Sequence, residues 1–408
     1  MLFQSIIGQK DTKVHLMHMI QQNRLSHALL FLGKEGSGAL PLAIAFANYL
    51  SLPKNTQPKK KEASLFGDEP EENVPDTITN PTTPAEIDNW IQRQQGWSKL
   101  KDMVHPDIHF SYPVIPRKAG DKPISTDYIK EWREFISTNP YGNVYDWLQF
   151  VGAENKQGNI TAHECSDIIR KMNLKSFESE YKILIMWMPE LLGKEGNKLL
   201  KLIEEPPPDT LFILVAENDS LILPTILSRT QLIKIPQLST LDIESALELR
   251  QGISMQKAQQ VAAISSGNYH EALQQLQHAE DDWEVLLRDW LNSIVKTGPA
   301  AQVKWIEEVS KIGREKQKQF LKYFVHILEI ATRLRVIPAN SDQEDRPDVA
   351  FALKFNKLCG ITQQEAIVQE LDQAAYYIER NANAKILFHA LTIKLYHIIS
   401  NKSVILMQ

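Results

Sequence analysis

The sequence predicts an α/β fold in which helices cover both faces of a mostly parallel β-sheet, followed by a small helical lid and an all-helical C-terminal domain. Up to residue 237, five short apolar runs of buried-strand type alternate with amphipathic helical stretches, a pattern typical of parallel sheets. Beyond residue 238 the apolar residues follow helical spacing only. Because 408 residues exceed what one core usually serves, we expect domains at 1–237, 238–282 and 283–408.

The first strand and the first long helix of the sheet domain surround a glycine-rich loop. HALLFL (27–32) is a continuous apolar run, and GKEGSG (33–38) follows it directly. Strand, glycine loop and helix are the context that a phosphate-binding loop requires. The helix after the loop is predicted from an apolar stripe formed by Leu40, Ala43, Ile44 and Ala47.

The composition changes after this helix. From Pro53 to about Pro84 the chain is rich in proline, lysine and acidic residues and poor in large apolar ones, which predicts an exposed, poorly ordered stretch. We assign 53–104 as an insertion. Its lysine run at 59–61 is interpreted as a solvated patch, since the formal net charge of -5 gives no general attraction to nucleic acid.

The sheet domain continues with alternating strands and helices. GNKLLKLIEE, an amphipathic helix, lies between the third and fourth strands and is stopped by three consecutive prolines that begin at Pro206. The four remaining strands are predicted at DIHFSYPVI (107–115), YKILIMWM (181–188), LFILVA (211–216) and QLIKI (231–235).

Composition argues against several classes of function. Cys165 and Cys359, the only two cysteines, have no metal-ligand spacing. The H-x-x-x-H pair of His105 and His109 would align on a helix, but Pro106 and the strand-like run argue against one, so no metal site is expected. No G-x-S-x-G nucleophile signature occurs. Without a targeting segment or an apolar stretch of 18 residues, we expect a cytoplasmic protein that does not enter membranes.

Several stretches together carry a resemblance to a known family. They are IIGQ (6–9), NRLSHALLFLGKEGSG (23–38), HPDIHF (105–110), NKLLKLIEEPP (197–207) and LPTILSRT (223–230). In content and order they resemble the AAA+ subunits of the bacterial DNA polymerase III clamp loader. ERNANAKILFHALTIKL (379–395) is similar to the segment with which those subunits help close a helical collar. The resemblance implies an AAA+ P-loop-type domain, and the insertion at 53–104 stands where the family has a four-cysteine zinc module.

The family contains an ATPase type, gamma/tau, and a non-hydrolysing type, delta prime, so the nucleotide-contacting positions distinguish them. Gly33 and Gly38 keep the glycine positions of the loop. Ala39 stands where a lysine would contact the β- and γ-phosphates, and Leu40 where a hydroxyl would hold magnesium. We therefore expect a degenerate Walker A loop that keeps its structural turn and no longer binds nucleotide.

Two further positions point in the same direction. Trp187 and Met188 stand where the family places the acidic pair that ligates the magnesium water shell, and Glu190 is a displaced carboxylate that could compensate. His270, in the predicted lid, stands where the ATPase subunits place an arginine that reaches the nucleotide. We expect His270 to be mostly neutral at pH 7 and unable to replace that arginine.

One nucleotide-related motif is retained. Ser228 and Arg229 in LSRT match the family's Ser-Arg-Cys motif, with Thr230 in place of cysteine. In the family this arginine projects into the ATP site of the neighbouring subunit, where such an arginine finger stabilises the transferred phosphoryl group. From the residues alone, Arg229 could equally be a surface arginine or the partner of Glu217 or Asp219.

The resemblance implies a clamp-loader subunit of the delta-prime type for DNA replication, which needs no cofactor, hydrolyses no ATP and contributes Arg229 in trans. Its expected partners are gamma/tau and delta subunits in a hetero-oligomeric ring and, through that assembly, the sliding clamp and primed DNA. The ring is part of the DNA-directed DNA polymerase III holoenzyme, a nucleotidyltransferase complex. Two alternatives remain, an active AAA+ ATPase with an unorthodox site and a scaffold paralogue without a clamp-loading role.

Overall fold

The computed structural model describes residues 1–22, 24–52, 83–118, 120–153, 156–277, 283–336, 347–380 and 382–400. The chain divides into two compact units, Met1–Leu276 and Gln277–Gln408. The predicted boundaries at 237/238 and 282/283 stay predictions.

The first unit is built on a five-stranded sheet. Its strands are β1 (Ala28–Gly33), β2 (Ile108–Ser111), β3 (Lys182–Trp187), β4 (Thr210–Ala216) and β5 (Gln231–Ile235). They lie in the order β2-β3-β4-β1-β5, and all neighbouring strands are parallel. All five predicted strands are confirmed. The run at 107–115 is a strand only as far as Ser111, close to Pro113, which has no N–H to donate to a ladder.

Helices cover both faces of this sheet. In β1, Leu29 and Phe31 pack into the core on one face, and Ala28 and Leu30 into the core on the other. The first face is covered by α1 (Lys10–Gln21), α2 (Ala39–Ser51), α3 (Pro84–Arg93), α4 (Trp97–Lys101), α5 (Ile129–Thr138) and α6 (Val144–Phe150). The second face is covered by α7 (Ala162–Met172), α8 (Leu200–Glu204) and α9 (Pro224–Leu227). Three helices follow β5, and we call them the lid: α10 (Thr240–Gln251), α11 (Met255–Ile264) and α12 (Tyr269–Gln277).

The predicted insertion at 53–104 is only partly described. Its residues 53–82, with the lysine run, lie outside the described residues. Its later part forms α3 and α4, which pack against the sheet domain. Trp90 meets Tyr49 of α2 edge to face, with ring centroids 6.1 Å apart, and the Asp88 carboxylate accepts the N–H of Phe3 at 2.9 Å. This part of the segment therefore belongs to the core of the first unit.

The second unit is helical throughout its described residues. Its helices are α13 (Trp283–Asn292), α14 (Pro299–Val309), α15 (Arg314–Val336), α16 (Pro347–Leu358), α17 (Ile361–Glu379) and α18 (Ala384–Ser400). Trp290 and Trp305 stack in its core, with ring centroids 4.5 Å apart. The Trp290 indole N–H donates to the Thr392 hydroxyl at 3.0 Å. Among the described helices, none has both the length and the apolar character needed to cross a lipid bilayer. The predicted fold class, a parallel α/β domain followed by helices, is confirmed.

Candidate functional site

The glycine-rich loop leaves the carboxyl end of β1, the edge at which parallel sheets bind ligands. Gly38 precedes α2 with a φ of 88°, a left-handed conformation that favours glycine. Ala39 and Leu40 follow as the first residues of α2 and are 7% and 6% exposed. The strand, the turn and the helix are therefore present as predicted, and small or apolar side chains occupy the positions that would contact phosphate and magnesium.

Aromatic side chains fill the space beside this loop. The Tyr141 ring packs so close to Gly38 that a Cβ added there would lie 3.0 Å from Tyr141 Cε1. The Tyr141 hydroxyl accepts the N–H of Ile7 at 2.8 Å, and Tyr269 of α12 packs edge-on against Tyr141, with ring centroids 5.1 Å apart. Trp187, at the end of β3, is 4% exposed. The region around the loop is therefore occupied by the chain's own side chains.

The space that remains, which we call the loop cavity, is small. Residues 33–36, 38–41, 140–142, 187 and 215–217 line it, and its volume is about 30 Å³. This volume holds one or two water molecules. Ligand pockets commonly measure roughly 300–1,000 Å³, so the loop cavity cannot hold a nucleotide without rearrangement.

Two partly buried ion pairs join the lid to the loop and to α6. His270 Nδ1 of α12 lies 2.9 Å from Glu35 Oε1 in the loop, and His270 Nε2 lies 2.6 Å from Asp146 Oδ2 in α6. The His270 side chain is only 6% exposed. Asn268 adds a hydrogen bond from Nδ2 to the same oxygen of Glu35 at 3.2 Å. We call Glu35, His270 and Asp146 the lid triad.

The lid triad shows that the predicted protonation state of His270 is wrong. Burial by itself lowers the pKa of His270, but the hydrogen bonds to Asp146 and Glu35 outweigh it and raise this pKa to about 10. The imidazole is therefore charged at pH 7 and donates from both ring nitrogens. The sequence predicted a neutral ring because nothing in it placed the two carboxylates beside the histidine. The lid does carry a cation, but the chain's own acids neutralise it.

The acidic pair of the ATPase subunits has no counterpart at the end of β3. The strand ends at Trp187, and Met188 takes a φ of 58° before a 3-10 segment begins. Glu190 Oε1 accepts the N–H groups of Glu217 and Asn218 at 2.6 and 2.9 Å, which joins the end of β3 to the end of β4. Glu190 is not among the described residues that line the loop cavity. Its position therefore supports a structural role and not compensation for the missing acids.

In the histidine pair considered as a metal site, His105 has a carboxylate partner and His109 is partly buried. His105 Nε2 lies 3.4 Å from Glu178 Oε1, and burial lowers the pKa of His109 to about 4. Within the described parts of the chain, no three His, Cys, Asp or Glu side chains are grouped as metal ligands.

The second candidate place is the LSRT segment, directly after α9. Arg229 Nη1 donates to the backbone oxygen of Thr225 at 2.7 Å and to the hydroxyl of Ser228 at 3.2 Å. Arg229 Nη2 forms an ion pair with Glu204, the last residue of α8. The partner is thus neither of the two acidic residues considered from the sequence. The Arg229 side chain remains 35% exposed.

Four residues of these two places were not singled out from the sequence. Glu35 offers a signal, because an acid in a loop built for phosphate repels the ligand. Glu204 offers another, because a carboxylate at the C-terminal end of a helix opposes the helix dipole. Asp146 forms a capping box with Asn143, so its sequence context indicates only the start of α6. Tyr141 gives no local signal.

Comparison with known proteins identifies relatives of this chain. Residues 142–239 match the family model described as DNA polymerase III, delta subunit. DNA polymerase III subunit delta' of Bacillus subtilis (strain 168) is 24% identical over 260 residues, which is 64% of this chain and 56% of that protein. The match therefore spans a little over half the length of that relative. These sequence matches confirm the predicted resemblance to clamp-loader subunits of the delta-prime type.

Two solved structures resemble the chain only distantly. The Bacillus subtilis DNA clamp loader delta protein has 13% identity and a TM-score of 0.25, with 74% of this chain and 98% of that chain covered. A DNA polymerase III gamma subunit-related protein of Thermotoga maritima has 13% identity and a TM-score of 0.33, with 94% and 98% covered. At these scores the structural likenesses add nothing to the sequence matches.

Proposed function

We propose that this chain is a clamp-loader subunit of the delta-prime type, which binds and hydrolyses no ATP and contributes Arg229 to the ATP site of a neighbouring gamma/tau subunit. In this role it assembles with gamma/tau and delta subunits in the cytoplasm and helps to load the sliding clamp onto primed DNA. The observation that carries the proposal is the small volume of the loop cavity, together with an arginine elsewhere in the first unit that is left accessible.

The small volume of the loop cavity supports the absence of nucleotide binding. A triphosphate would have to displace Tyr141 from the loop and compete with Glu35 for His270. If His270 turned to the phosphates, Glu35 and Asp146 would lose the cation that both contact. Removing one partner from a buried ion pair costs about 3–5 kcal/mol, and Ala39, at the position of the phosphate-loop lysine, offers no charge that would offset this loss. The geometry therefore disfavours the alternative of an active ATPase.

The state of Arg229 supports the finger role. A guanidinium has five N–H donors, and the three contacts of Arg229 with Thr225, Ser228 and Glu204 leave donors for another acceptor. Its planar, permanently charged fork suits a phosphoryl group better than any other side chain. Arg229 is therefore able to meet the phosphate of a second chain.

The decisive experiment measures ATP hydrolysis by an assembly reconstituted with the cognate gamma/tau and delta subunits, clamp and primed DNA. We expect hydrolysis to require this chain and to fall on the order of tenfold or more with Arg229→Ala, while size-exclusion chromatography shows an intact assembly. Arg170→Ala is the matched control, because Arg170 is also exposed and paired with a carboxylate, that of Asp167. An unchanged rate with Arg229→Ala would reject the finger role.

Two further results would favour the alternatives. If omission of the chain leaves hydrolysis unchanged, the scaffold alternative is supported. Calorimetric titration of the isolated chain with ATP and magnesium should show no binding, and binding in the micromolar range would support an active ATPase.

A further inference from the structure

Glu204 is held in place by the backbone around it. It is the last residue of α8, whose Leu202 and Ile203 are buried against the second face of the sheet. Pro206 follows shortly and prevents the helix from continuing. The Glu204 carboxylate is therefore presented from a fixed point on the surface of the first unit.

Contacts with its own chain give the Arg229 guanidinium one orientation. Nη1 is bound to Thr225, in α9, and to Ser228, in the turn that follows α9 and contains Arg229. Nη2 is bound to Glu204, the one charged partner and the one that belongs to a different helix. An arginine without such contacts has many rotamers and loses that freedom when it meets a ligand. A pre-oriented arginine avoids most of this loss.

The ion pair between Glu204 and Arg229 is expected to contribute little to the folding stability of the chain. The two side chains are 42% and 35% exposed, and exposed ion pairs contribute little to folding. A carboxylate at this end of α8 also opposes the helix dipole. Glu205, the next residue, is exposed too and forms no ion pair with any described residue. The adjacent acids Glu204 and Glu205 thus differ chiefly in that Glu204 contacts Arg229.

We propose that Glu204 is a positioning residue for Arg229, which holds the guanidinium so that its remaining N–H groups meet the phosphate of the neighbouring subunit's ATP. This inference rests on the proposed function. It assigns Glu204, in the segment NKLLKLIEEPP, a role in the reaction of another chain without contact to that chain's substrate.

The test compares Glu204→Gln, Glu205→Gln, Arg229→Ala and the double variant Glu204→Gln/Arg229→Ala in the reconstituted assembly. We expect Glu204→Gln to lower kcat for ATP about two- to fivefold, the size of an exposed ion pair, with KM for ATP unchanged. Glu205→Gln should have the wild-type rate, and Glu204→Gln and Glu205→Gln should both melt at the wild-type temperature. In the Arg229→Ala background, Glu204→Gln should have no further effect, because its action runs through the arginine.

The outcomes separate the two proposals. If Arg229→Ala slows hydrolysis and Glu204→Gln does not, the positioning role is wrong and the finger role stands. A rate raised by Glu204→Gln, or one lowered equally in both backgrounds, also overturns the positioning role. If Arg229→Ala itself leaves the rate unchanged, the finger role is wrong, and the positioning role that rests on it is wrong as well.

Discussion

The glycine-rich loop and the LSRT segment both correspond to ATP-handling parts of the clamp-loader ATPases, yet this chain treats their charges in opposite ways. At the loop, the cation of His270 is 6% exposed and lies between two carboxylates of the same chain. At LSRT, the cation of Arg229 is 35% exposed and has a single carboxylate partner. One charge is neutralised within the first unit, whereas the other remains accessible to another molecule.

This difference teaches that the loop differs from a phosphate-binding loop in more than the residues Ala39 and Leu40. Glu35 of the loop brings a carboxylate to the lid, because its Oε1 lies 2.9 Å from Nδ1 of His270. Tyr141 and Trp187 occupy space beside it. α12 therefore contacts an anion of its own chain, and this contact involves no ligand.

The largest expected effect comes from His270, the less exposed of the two cations, and it is an effect on the free energy of unfolding. His270→Ala leaves Glu35 and Asp146 without their shared cation, so we expect the free energy of unfolding of the chain to fall by about 3 kcal/mol. Urea unfolding at pH 7, followed by circular dichroism, measures this change. His18→Ala, at an exposed histidine of α1, is the control and should be nearly neutral.

Neutralising Glu35 and Asp146 together with His270 tests the cause of this loss of stability. In the triple variant Glu35→Gln/Asp146→Asn/His270→Gln no charge remains unpaired, so most of the lost stability should return. If His270→Ala and His18→Ala have equal effects, the lid triad is not a stabilising network and the comparison fails.

A smaller effect is expected from pH. The folded-state pKa of His270 is raised to about 10 from the ordinary 6.5, so its contribution is fully present below pH 6.5 and is lost as pH rises through 10. We therefore expect the free energy of unfolding of wild type and His270→Gln to differ by about 2 kcal/mol at pH 6, and less at pH 9.5. Urea titrations of both proteins at several pH values measure this difference, and a difference that widens with pH would contradict the lid triad.

The sheet could be predicted from the sequence because each strand is a continuous apolar run, which adjacent residues alone are enough to identify. The loop was found for the same reason. The lid triad could not be predicted, since Glu35 and His270 are 235 positions apart and only the tertiary fold brings them together. The pairing of Glu204 with Arg229 likewise depends on how α8 and α9 pack.

The helix α3 is a different case, because its signal was present in the sequence. Thr83 caps this helix by accepting the N–H of Glu86, and Pro84 occupies its first turn. The surrounding proline and charge content led to an insertion being predicted over the whole of 53–104. The composition of 53–104 describes the average of the segment, whereas the Thr83 cap shows that a helix begins at Pro84.

The smallest expected effect comes from restoring the two residues that would grip phosphate and magnesium. If the chain had lost nucleotide binding only through these positions, Ala39→Lys with Leu40→Thr should restore it. For this double variant we expect no calorimetric binding at ATP and magnesium concentrations up to about 1 mM, where even a weak site would be detected. The reason is that Tyr141 and Glu35 still occupy the loop. Adding Glu35→Gln and Tyr141→Ala removes the competing carboxylate and the ring, so binding should appear only in this fourfold variant. Micromolar binding by the first variant would show that the missing lysine and hydroxyl alone separate this loop from an active one.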